Sequence, residues 1–106
     1  MRSRAEIEKM LEQMNIPFRY FLFEEKEAVE PPFLVWYLPK SNNFFADGIV
    51  YEKIARLNLE LYTAQKDFEL EERLESLLET EGMAWNKTEA FLDEEQLYEV
   101  LYEMEV

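Results

Sequence analysis

"IVYEKIARLNLELYT", residues 49–63, is the stretch on which the fold turns. From Ala55 to Leu61 the odd positions are apolar, while Arg56, Asn58 and Glu60 face the other way. That period of two predicts a strand with one face on a core. Before Ala55 the parity reverses, with Val50 and Ile54 apolar at even positions and Glu52 between them. A slip of parity within one strand predicts a bulge near Lys53 or Ile54.

Just upstream lies "SNNFFADG", residues 41–48, in which Asn42, Asn43, Asp47 and Gly48 are chain-reversing residues. Before it, "FLVWYL" at 33–38 is apolar on both faces, as a covered, central strand would be. The segments on either side of the turn therefore read as two arms of a hairpin. Phe44 and Phe45 are out of place there, because the end of a hairpin has little core beneath it. Either the loop folds back and buries one of them, or they anchor a protein–protein contact, with Asp47 and Gly48 shaping the turn between the arms.

Working outward, Ser3 and Glu6 fit a capping box, and Ile7, Met10, Leu11 and Met14 form one helical stripe that Asn15 and Pro17 end. "FRYFLF" at 18–23 reads as a strand, followed by a charged connection, "EEKEAVEPP", at 24–32. A second helix, "FELEERLESLLETEG", is capped by Asp67 and stopped by Gly82, with Leu70, Leu74, Leu77 and Leu78 as its buried stripe. Glu71, Glu72, Glu75 and Glu79 are expected together on its far side, as an acidic face. "MAWNKTEAF" and "LYEVLYEMEV" alternate as two further strands joined by a turn at "LDEEQ". The expected fold is a single α+β domain over residues 1–106, of order α-β-β-β-α-β-β. Its sheet is mostly antiparallel, has about five strands and carries both helices on one face.

The 106 residues contain no cysteine and no histidine, which removes disulfides, thiolate zinc sites and imidazole bases. Hydrophobic residues are 48% of the chain and aromatics 15%, too many for a disordered acidic tail. No apolar run has the length of a signal peptide core or a membrane span, so a soluble protein with no membrane partner is expected. Net charge is −13 and uneven: residues 1–66 hold 10 acids and 9 bases, residues 67–106 hold 14 acids and 2 bases. That balance argues against direct nucleic-acid binding, which relies on basic groups to neutralise phosphates. The acidic half is either a solvated surface or a means of repelling polyanions and drawing a basic partner.

Carboxylates are abundant but undirected. Glu24-x-Lys26 could mimic part of a nuclease site, yet no aspartate precedes Asp47; "DEEQ" at 93–96 lacks the ligand pattern of a calcium loop. No phosphate-binding loop or nucleophile elbow occurs. No catalytic residue, metal site or cofactor is expected. The strand aromatics, Trp36, Tyr37, Tyr62 and Tyr102 among them, read as core or cross-strand pairs.

As an ordered set, "PPFLVWYL", "NNFFADGIVYEK", "LELYTAQKD", the acidic leucine helix and "LYEVLYEMEV" resemble small head–tail joining and tail-terminator-type proteins of long-tailed bacteriophages and prophages. Asn43, Phe44, Asp47, Gly48 and Tyr51 carry the hairpin part of the likeness, and Glu60, Leu61, Tyr62 and Thr63 the block before the second helix. The first helix matches by pattern alone, and the acidity is stronger than the resemblance leads one to expect. The resemblance implies a non-enzymatic virion subunit at the neck, assembled in the host cytoplasm. It implies a ring, six-fold, that caps the tail tube and couples it to the head connector. Two other readings of the residues stand beside it: an acidic DNA mimic that blocks a basic groove, and an acidic protein-interaction domain of unspecified partner.

Overall fold

The computed structural model describes residues 1–24, 27 and 29–106. The chain runs α1 (Arg4–Glu12), β1 (Phe18–Tyr20), β2 (Phe33–Tyr37), β3 (Phe44–Ala46), β4 (Ile49–Glu52), β5 (Arg56–Thr63), α2 (Phe68–Thr80), β6 (Trp85–Leu92) and β7 (Leu97–Glu105). Five strands form one sheet in the order β1-β2-β5-β7-β6, while β3 and β4 form a separate two-stranded ribbon. The α+β class, the antiparallel majority and the two helices on one face are as the sequence leads one to expect.

Register explains the core. Leu34 lies opposite Leu61, Trp36 opposite Leu59, Leu59 opposite Tyr102 and Leu61 opposite Val100, so all point to one face. Onto that face α1 lays Ile7, Met10 and Leu11, the turn after it adds Met14, and α2 lays Leu70, Leu74 and Leu78. Trp36, Leu57, Leu59, Leu61 and Tyr102 are fully buried there. Burying each leucine contributes about 1.5–3 kcal/mol, which is why a strict alternation in sequence becomes a strict sidedness in space.

Both helix starts are set locally. Ser3 Oγ accepts from the Glu6 amide while Glu6 returns a bond to the Ser3 amide, and Asp67 Oδ1 accepts from the Leu70 amide. Gly82, at φ +75°, turns the chain out of α2 in the left-handed conformation that a side chain would resist.

Two expectations change. The strand read over 18–23 ends at Tyr20, and β1 pairs with β2 in parallel, not antiparallel. The connection over 21–32 is long enough to return the chain to the same end of the sheet, which a short link could not do. The middle of that connection, including Lys26 of the Glu24-x-Lys26 pair, lies outside the described residues.

The second change concerns the parity slip. Instead of a bulge inside one continuous strand, the chain leaves the ribbon after Glu52 and enters the main sheet at Arg56. A register shift does occur nearby, within the ribbon: Phe44 faces Glu52 and Phe45 faces Val50, leaving Tyr51 as the extra residue. The molecule measures 49 × 29 × 24 Å with a radius of gyration of 15.0 Å. A compact chain of this length would have a radius near 13 Å, so part of it projects.

Candidate protein-interaction site

The ribbon begins at a clamp. Lys40 and Asn42 carbonyl and amide groups bond across to Arg56 and Ile54, and Ser41 bridges Ala55. Asn43 Oδ1 accepts from the Ile54 amide at 3.0 Å, and Asn42 Nδ2 donates to Glu105 Oε1 at 3.0 Å. Ala55 in turn exchanges two backbone bonds with Val106. The base is thus tied to both β2–β5 and the end of β7.

At the tip, Asp47 (φ 52°) and Gly48 (φ 75°) form a two-residue loop between Ala46 and Ile49. Two successive positive φ angles match the right-handed twist of a hairpin, and Asp-Gly is a pair that accepts them. Asp47 and Gly48 therefore make the turn. Phe44 and Phe45 are not in the turn at all: they are the first two residues of β3, and neighbouring residues on a strand point to opposite faces.

Neither face is covered. Phe44 is 60% exposed, Phe45 64%, Ile49 64% and Tyr51 69%, with Val50 at 40%. Of the two possibilities left open by the sequence, the loop does not fold back to bury a phenylalanine. Ile49, Val50 and Tyr51 join the exposed set, although in sequence they read as the start of the strand over 49–63. The parity slip is the signal that they belong to a different sheet. A lone two-stranded ribbon is marginal in water, so five uncovered apolar side chains on one are unusual for a monomer.

The four α2 glutamates do not share a face. Glu72 and Glu79 are exposed, but Glu71 is 3% exposed and Glu75 half-buried. At 100° per residue, Glu71 lies seven positions before Leu78 and so on the same side as the leucine stripe. It faces Lys66 of the β5–α2 connection, whose Nζ sits 2.6 Å from Glu71 Oε2, while Lys87 of β6 has its Nζ 2.7 Å from Glu75 Oε2. Tyr102 Oη donates to the same Glu75 oxygen at 2.7 Å, and Glu89 pairs with Lys66 from β6. Burial works against the Lys66 ammonium, but Glu71 and Glu89 outweigh it and hold its pKa above the ordinary value. The hydrogen bond from Lys87 to Glu75 does the same for Lys87. Burial, then Glu75, pushes the Tyr102 phenol far up.

The sheet face away from the helices carries a second polar group. Tyr62 Oη lies 2.9 Å from Glu60 Oε1 and 3.0 Å from Glu99 Oε2, and Tyr37 Oη donates to Glu60 at 3.1 Å. Burial and both carboxylates raise the Tyr62 pKa strongly. For Tyr37, the amide of Asn58 favours ionisation, but burial and Glu60 together outweigh it and raise the phenol. No group of three or more acidic, histidine or cysteine side chains among the described residues is placed to hold a metal ion. No helix among them is long and apolar enough to cross a membrane.

No protein-family model matches this sequence, and no curated protein matches it.

Proposed function

We propose that this chain is a structural subunit that works by association, capping a tube end as a ring at the head–tail junction of a long-tailed bacteriophage. The observation that carries the reading is the β3–β4 ribbon, hydrogen-bonded to the body at its base and apolar on two uncovered faces. Aromatic side chains of this kind dominate the energetics of protein interfaces. The ordered motifs that resemble tail-terminator-type proteins supply the finer placement: a six-fold ring between tail tube and head connector, in the virion neck. An acidic surface suits that place, since DNA passing a negatively charged ring is repelled and does not adhere. The DNA-mimic reading has less behind it, because Glu71 and Glu75 are engaged inside the fold and only Glu72 and Glu79 of the cluster are displayed.

Electron microscopy of the purified protein mixed with tail tubes lacking their terminal ring tests the reading. Capped tubes or free rings are expected, and Phe44→Ser with Phe45→Ser should remove both. A protein that stays monomeric, ignores the tubes and instead blocks a DNA-binding protein would overturn it.

A further inference from the structure

An apolar cleft of about 330 Å³ opens on the sheet face away from the helices. Phe33, Tyr62, Leu97 and Leu22 line it, Leu22 with 57% exposure, and Glu60 and Glu95 are its carboxylates. We propose that this cleft receives the β3–β4 ribbon of a second copy of the chain. The inference rests on the assembly reading above and adds the surface that the ribbon enters.

Placement comes first. The ribbon leaves the sheet at the Tyr37 end of β2 and the Arg56 end of β5, whereas Phe33, Tyr62 and Leu97 of the cleft lie at the opposite ends, with Phe21, packed on Tyr37, as its near edge. At about 3.3 Å per residue, the six steps from Arg56 to Tyr62 alone separate them by roughly 20 Å. A ribbon at one end of an elongated body cannot reach the cleft of its own chain. It can reach that of the next.

The chemistry matches as well. In a chain of net charge −13, residues 40–53 carry two acids (Asp47, Glu52) and two bases (Lys40, Lys53), for a net of zero. The ribbon therefore approaches an acidic neighbour without repulsion. Lys40 and Lys53 are exposed at its base and have no carboxylate partner among the described residues. Across the gap, Glu60 and Glu95 line the cleft and Glu99 lies beside Tyr62; tyrosine hydroxyls reach Glu60 and Glu99, but none of the three has a lysine or arginine partner among the described residues. Apolar tip meets apolar cleft, and ammonium groups without a carboxylate meet carboxylates without a cation. Because ribbon and cleft are different surfaces, the contact is heterologous: every added copy leaves one of each open until a ring closes.

Two complementary variants test this. Phe44→Ser with Phe45→Ser keeps the cleft, and Leu22→Arg keeps the ribbon; both change exposed side chains, so circular dichroism should show an intact fold. At concentrations where the wild type assembles, each variant alone should sediment as a monomer, and an equimolar mixture should recover dimers and nothing larger. A parallel readout uses Phe45→Cys and Leu22→Cys, in a chain with no other cysteine: on oxidation of the mixture, the heterodimer should exceed both homodimers. Assembly that survives Leu22→Arg, or a mixture that stays monomeric while the wild type assembles, would overturn the cleft as acceptor and leave the assembly reading standing. A wild-type protein that stays monomeric at millimolar concentration would remove both.

Discussion

Lys66 Nζ lies 2.6 Å from Glu71 Oε2, and Glu71 is only 3% exposed, on a helix whose sequence suggests a solvated acidic surface. The pair is held from two sides, because Lys87 also reaches Glu71 Oε1 at 3.4 Å. Lys87, one of two bases in residues 67–106, and Lys66 just before them are thus engaged by the carboxylates of α2.

Replacing Glu71 by Gln should therefore destabilise the fold while the same change at Glu72 should not. Removing one member of a fully buried pair costs about 3–5 kcal/mol; since both lysines still touch solvent, about 2 kcal/mol is expected for Glu71→Gln. Glu72→Gln should stay within about 0.5 kcal/mol of the wild type. Urea denaturation followed by tryptophan fluorescence measures both, and equal effects would show that Glu71 is not held by its lysines.

Stability should fall at high pH. Tyr62, Tyr102, Lys66 and Lys87 all have folded pKa values above their ordinary ones, 10.0 for the phenols and 10.5 for the ammonium groups. Each favours its protonated form in the fold, so its contribution is complete below the ordinary value and is lost as pH rises through the folded one. Denaturation midpoints should be flat through neutrality and drop above about pH 10. Tyr102→Phe, which removes the phenol facing Glu75, Glu71 and Lys87, should shallow that drop; an unchanged slope would contradict the assignment. On the acid side, Ser3 holds Glu6 below its ordinary 4.5, so the capping-box contribution is present above that value and fades as pH falls through the folded one.

The ribbon should separate stability from assembly. Phe44→Ser with Phe45→Ser removes exposed surface, so the thermal midpoint should move little, within about 1 kcal/mol of stability. Sedimentation should nevertheless show assembly abolished. Ile49→Ser with Tyr51→Ser should behave alike, because those side chains extend the same uncovered surface.

Gly48→Ala should act on the tip alone. An added Cβ meets nothing within 4 Å, so the cost is conformational, about 1–2 kcal/mol for a side chain held at φ +75°. Hydrogen exchange should quicken at amides of the ribbon and stay unchanged in β5 and β7. Uniform quickening would mean that the ribbon and the body open as one unit.

Much of this was legible in the chain because the deciding forces are local or strictly periodic. Ser3 with Glu6 and Asp67 with the Leu70 amide are contacts across three residues, and Leu57, Leu59 and Leu61 must share a face whatever the sheet around them. The parity slip before Ala55 marks where the chain changes sheets, though its outcome as a separate ribbon depends on the clamp by Asn42 and Asn43. What the sequence by itself determined is the helix caps, the alternation and the aromatic pair beside an Asp-Gly turn. Tertiary structure alone decided that β1 runs parallel to β2, that Glu71 turns inward to two lysines, and that Phe44 and Phe45 stay uncovered. The reason is one of range: backbone geometry and alternation act between neighbours, whereas burial depends on which distant residues the finished fold brings alongside.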